Sequence, residues 1–103
     1  MILVTTDGIP GKELEALGIV KGGTIQSVHV GKDIGSAFKT LVGGELQSYN
    51  DMMNKARALA TERMVRDAEA LGADAVVAVR YASASVMQSA AEVMCYGTAV
   101  KFK

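Results

Sequence analysis

The stretch ELQSYNDMMNKARALATERMVRDAEALG, residues 45–72, decides how the rest of the chain is read. Along it Leu46, Tyr49, Met53, Ala56, Ala60, Met64, Ala68 and Leu71 recur at intervals of three or four, the spacing that places side chains on one face of an α-helix. Asn50, Lys55, Glu62, Arg66 and Glu69 fall away from that face, and Gly72 supplies the residue type on which helices commonly stop. The apolar stripe is narrow and rich in alanine. A long helix is expected, packed closely against something equally small.

The last stretch offers that partner. In AAEVMCYGTAVKF, residues 90–102, Met94, Tyr96, Thr98, Val100 and Phe102 alternate with Val93, Cys95, Gly97 and Ala99, so a strand there has one large face and one small face. The small face and the alanine stripe are a matched pair. Just upstream, ADAVVAVRYASASVM, residues 73–87, is β-branched and nearly continuous, as in a strand covered on both faces, before the small residues from Ala82 to Ser85 loosen it.

Towards the N-terminus the signals are shorter. MILVTT reads as a strand that ends in a turn at Asp7, Gly8, Pro10 and Gly11. In KELEALGIV the leucines would suit a helical turn, but Gly18 weakens a helix while Ile19 and Val20 favour a strand. Lys21–Gly23 then reads as the turn of a hairpin between LGIV and TIQSVHV. GKDIGSAFKTLVGG, residues 31–44, predicts a short amphipathic helix with Asp33 as its cap, Ile34, Phe38 and Leu41 on its apolar face, and Gly43 and Gly44 as its stop. The order of elements implies an α+β fold, a largely antiparallel sheet with one short and one long helix on one face, in a single domain over residues 1–103.

Composition narrows the function classes. Eleven basic residues balance eleven acidic ones, leaving no overall positive field to gather nucleic acid or an anionic membrane. One cysteine cannot close an internal disulfide, the first residues lack the pattern of a secretory signal, and no apolar run reaches the roughly 20 residues of a membrane-spanning helix. A soluble cytoplasmic protein is expected. With 103 residues a large share of the surface stays exposed, so burial through self-association would help.

Read together, TTDGIPGKELEALGIVKG, GKDIGSAFKTLVGGELQSYNDMMNKARALATERM, LGADAVVAVRY and AEVMCYGTAV resemble the successive blocks of the YbjQ-like family of small bacterial and archaeal proteins, whose label refers to heavy-metal binding. The resemblance covers nearly the whole chain, in order and without gaps. It implies a dodecin-like/YbjQ-like α+β subunit that assembles with itself into a ring-shaped homopentamer, with no established biochemical activity. Two positions depart from the family pattern: Asp74 where relatives often carry Asn, and Cys95 where an apolar residue is common.

The candidate site residues are few. A structural zinc site needs four Cys, His or carboxylate ligands, commonly in closely spaced pairs, whereas His29 and Cys95 are single and far apart in sequence. A metal ion held by ligands from several subunits is the form in which metal binding survives, since a symmetry axis can gather copies of one residue. Cys95 as a nucleophile would need a base, and among histidines only His29 is on offer, so burial as a small hydrophobe explains it better. Glu45 stands at a helix start, where a carboxylate meets the N-terminal amides. Tyr49, Arg57 and Glu92 complete the set of ligand or assembly candidates, with Arg57 expected to pair with a carboxylate of its own or a neighbouring subunit. The paired glycines before Glu45 could cradle an anion, with Lys39 or Arg57 as counter-charge, but lack the phosphate-loop lysine. No catalytic residue is assigned. A binding or scaffold ring leads, followed by a metal-binding ring and by an enzyme with a site between subunits.

Overall fold

Strand β4, Ala90–Phe102, is the organising element of the computed structural model, which describes residues 1–28 and 45–103. It lies between β3, Ala75–Met87, and β2, Leu14–Ser27, and pairs antiparallel with both. The short β1, Ile2–Leu3, adds to the far side of β3 in parallel, with Ile2 opposite Ala75 and Leu3 opposite Val76. The sheet is mixed, in the order β1-β3-β4-β2, and the helix α1, Glu45–Ala70, covers part of one face. None of the described helical residues forms a segment long and apolar enough to cross a membrane.

The small face of β4 seats the helix. Met52, Ala56, Ala60, Met64 and Ala68 are buried, and their strict spacing of four places them on one inclined row of the helix surface. From Ala56 to Ala68 that row packs on Val20 of β2, Val76 and Val79 of β3, and Val93, Cys95 and Ala99 of β4 in one core. Gly22 of β2 is where the approach is tightest. A Cβ there would overlap the Ala60 carbonyl oxygen and the Met64 nitrogen and would lie 2.7 Å from Arg63 Cβ, so only glycine admits the helix backbone.

The helix ends on chemistry legible in its sequence. Gly72 is left-handed at φ 75°, its N–H donates to the Glu69 carbonyl at 3.0 Å, and Ala73 N–H donates to the Ala68 carbonyl at 3.1 Å. This is the Schellman pattern, and half-buried Ala73 packs against the cluster that holds Ala68. Asp74 then clips the turn to the sheet: its carboxylate accepts from Phe102 N–H at 2.8 Å while its own N–H donates to Val100 at 2.9 Å.

The hairpin around Lys21–Gly23 is corrected: one continuous strand runs from Leu14 to Ser27, with Lys21, Gly22 and Gly23 paired to Tyr96, Cys95 and Met94. Two glycines are a turn signal from sequence, but here Gly22 answers to the helix above it. Gly18 carries the local irregularity instead, at φ 136° where the register shifts between Ala16 and Gly18. The buried row replaces the predicted stripe at its ends, since Tyr49 and Leu71 are exposed and Met53 is half-buried. The predicted short helix at residues 31–44 lies outside the described residues.

β3 divides into two parts. From Ala75 to Val79 it is largely buried between β1 and β4; from Arg80 to Met87 every residue is exposed. The break coincides with a register shift between Val77 and Arg80 and with Ala78 at φ 53°, a left-handed conformation uncommon for a residue with a Cβ. Ala78 and Val79 donate to the carbonyls of Thr6 and Val4, the last ties between β3 and the N-terminal segment. Beyond them the strand continues as one side of a hairpin with β4.

Candidate functional site

Cys95 sits at the centre of the helix–sheet contact, fully buried. Its thiol donates to the Met64 thioether sulfur at 3.5 Å, and its strand neighbours are Gly22 and Tyr81. Enclosed between helix and sheet, the sulfur has no exposure to solvent or to a reagent arriving at the surface. The two sulfurs form a soft donor pair, and the described residues contain no group of three or more His, Cys, Asp or Glu placed to hold a metal ion. The described residues therefore do not fit a metal centre, and no chemistry is derived through one.

The remaining candidates are not brought together. Glu45 is the first residue of α1. Tyr49 lies on the exposed part of the same helix, and Arg57 further along it donates from Nη1 to Asn54 Oδ1 at 3.0 Å. A carboxylate partner for Arg57 was expected; among the described residues the only salt bridge is Arg66 with Glu62, one helical turn apart. Glu92 is half-buried on the opposite face of the sheet, between Ile25 and Ala84. His29, Lys39 and the glycines before Glu45 lie outside the described residues. A shallow groove of about 220 Å³ opens between the end of β2 and the first turns of α1, with Asp51 and Lys55 as its charged groups.

The arrangement that does form was absent from the sequence reading. The sheet face turned away from α1 carries Ile19, Lys21 and Ile25 of β2, Glu92, Met94, Tyr96 and Thr98 of β4, and Arg80, Ala82 and Ala84 of β3, aligned by the registers. Ile19 is 80% exposed, Ile25 60% and Tyr96 40%. Large apolar side chains exposed along one face of an open sheet are characteristic of a surface made for contact. Strand alternation carries its signal, because Ile19 and Ile25 share a parity opposite to buried Val20 and Thr24.

The two long edges of the sheet are treated differently. On β2, Lys21 N–H donates outward to Asp67 Oδ2 at 3.1 Å and the Gly23 carbonyl accepts from Arg63 Nη1 at 2.7 Å, so α1 caps the middle of that edge. These bonds also fix which way the neighbouring backbones point. Alternate residues of an antiparallel strand turn their N–H and C=O the same way, so Tyr96 and Met94, opposite Lys21 and Gly23, bond instead to Arg80 and Ala82 of β3. It follows that Tyr81, Ser83 and Ser85 direct their backbone groups away from β4, where among the described residues no strand stands beside them. Tyr81 is tied to α1 by its side chain, whose hydroxyl lies 2.6 Å from that of Thr61.

Comparison with known proteins places this geometry in a family. Residues 1–103, the whole chain, match the family described as "Putative heavy-metal-binding". A UPF0145 protein of Alkaliphilus metalliredigens is 69% identical over 102 residues, covering 99% of each chain, and one of Clostridium novyi is 63% identical over 101 residues, covering 98% of each. Among solved structures, a crystal structure of a protein of unknown function from Pediococcus pentosaceus superposes with a TM-score of 0.65 at 15% identity, over 100% of this chain and 98% of the other, and so shares its fold. The chain belongs to the YbjQ-like, or UPF0145, family.

Proposed function

We propose that this chain is a self-assembling subunit, a cytoplasmic homopentameric ring of the kind its family resemblance implies, that serves as a binding or scaffold module without catalysis of its own. The observation that carries this reading is the open sheet face with Ile19, Ile25 and Tyr96 exposed, continuous with the uncovered hairpin at Arg80–Met87. Those side chains belong to the class that specific interfaces bury at their centre. The scattered positions of Tyr49, Arg57, Glu92 and Cys95 support assembly over chemistry, because a general acid–base pair or an activated nucleophile needs groups within hydrogen-bond reach.

Native mass spectrometry of the full-length protein at micromolar concentration tests the reading. It expects one dominant species at five chain masses. A stable single chain overturns it.

A further inference from the structure

We infer that Arg80–Val86 of β3 is a two-register switch: it slides by one residue along β4 and so exchanges Arg80 for Tyr81 on the open sheet face.

The two ends of the segment make the slide possible. Between Val77 and Arg80, β3 advances three residues while β4 advances two, from Thr98 to Tyr96; between Ser85 and Met87 it advances two while β4 advances one, from Ala91 to Ala90. Each end therefore stores one residue of β3 that has no place in the ladder, a β-bulge. The first bulge holds Ala78 at φ 53°, and the second lies beside the turn that carries Ser89 at φ 63°. A shift of one residue empties the second bulge by setting Val86 opposite Ala91 and takes the surplus into the first. Ala75–Val77 and Met87 keep the partners they have.

Between the bulges little resists the shift. Register is strongly specified where one face of a strand buries large side chains, and weakly where both faces are small and solvated. Ala82, Ser83, Ala84 and Ser85 are small and exposed, so turning each to the other face moves nothing bulky, and backbone bonds to β4 re-form as they break. The register is held by two exposed side chains. Tyr81 donates its hydroxyl to Thr61 Oγ1 at 2.6 Å, since Thr61 gives its own proton to the Arg57 carbonyl at 2.7 Å. Arg80 donates to the carbonyls of Thr5 and Val79, both at 2.9 Å. After the slide Tyr81 stands opposite Tyr96 on the open face, while Arg80 leaves that face and lies opposite Gly97, which has no side chain to obstruct it. The face loses a cation and gains an aromatic ring.

Cys95 reports the register. It now stands opposite Tyr81, with Ala82 turned to the other face, so a thiol at position 82 is out of its reach. One residue of slide sets position 82 directly opposite Cys95, within the span a disulfide bridges. Full-length Ala82→Cys is incubated with oxidised glutathione, and the intrachain bond from position 82 to Cys95 is followed by peptide mass without reduction. The expected result is steady accumulation of that bond, about fivefold faster when Tyr81→Phe removes the hydroxyl tie, the effect of one hydrogen bond of ordinary net strength. Ala84→Cys separates sliding from unfolding, because its thiol meets Cys95 only when β3 leaves β4. A bond that fails to form in Ala82→Cys, or forms no faster than in Ala84→Cys, overturns the proposal. If Ala82→Cys does not fold, relaxation dispersion on the unsubstituted protein decides: one exchange process shared by the amides of Ala78 and Arg80–Val86 upholds the switch, and flat profiles across them overturn it.

Discussion

At the scale of single residues, three positions set the geometry of the fold. Gly22 is the contact point of sheet and helix, and any Cβ there meets helix backbone, which cannot yield as a flexible side chain would. Gly22→Ala is expected to destabilise the protein by about 1–3 kcal/mol, the usual cost of overpacking a close-fitting core. Gly23→Ala is the control, since its Cβ would lie 3.6 Å from the nearest atom, the Val93 carbonyl oxygen, in ordinary contact. Denaturant midpoints of the two variants check the difference. Asp74 holds the Phe102 amide, so Asp74→Ala should cost about 1–2 kcal/mol by leaving a half-buried donor unsatisfied, whereas Asp74→Asn keeps an acceptor and should cost less. Cys95, enclosed against Met64, is expected to resist a disulfide reagent in the native protein and to react at once when the protein is unfolded. Rapid labelling of the native form would contradict its placement.

At the scale of elements, the sequence carried the faces better than the connections. The alanine row of α1 and the small face of β4 were both readable, because each rests on a periodicity over a long window, and they do meet in the core. Gly72 announced the helix end for the same reason that it forms it. The misreading at Lys21–Gly23 came from a real ambiguity: glycine is required both where a chain reverses and where another backbone comes close. Only the helix standing over Gly22 distinguishes the two, and that is a tertiary fact. The candidate site was less legible still. Tyr49, Arg57 and Glu92 are named by residue type, but whether they converge depends on which face each element turns, and they turn to different ones. The edge caps contributed by Asp67 and Arg63 could not be read at all, since they join positions 46 and 40 residues apart in sequence. Replacing both with alanine uncovers the outward groups of Lys21 and Gly23. The expected outcome is a folded protein that forms larger, concentration-dependent species than the wild type, seen by light scattering. Unchanged scattering would mean that the caps do not guard the edge.

At the scale of the whole molecule, the chain is elongated, 56 × 23 × 18 Å, with a Cα radius of gyration of 17.1 Å against about 13 Å for a compact domain of this length. Among the described residues α1 covers part of one face of a four-stranded sheet, and the far half of β3 is exposed. A small-residue core of alanine, valine and methionine gives this shape modest support of its own, so association is the natural source of further burial. Sedimentation equilibrium of the full-length protein at micromolar concentration tests that claim most directly. Self-assembly predicts a single species several times the chain mass, five times for the ring, persisting on dilution through the micromolar range. A stable species of one chain mass would contradict it.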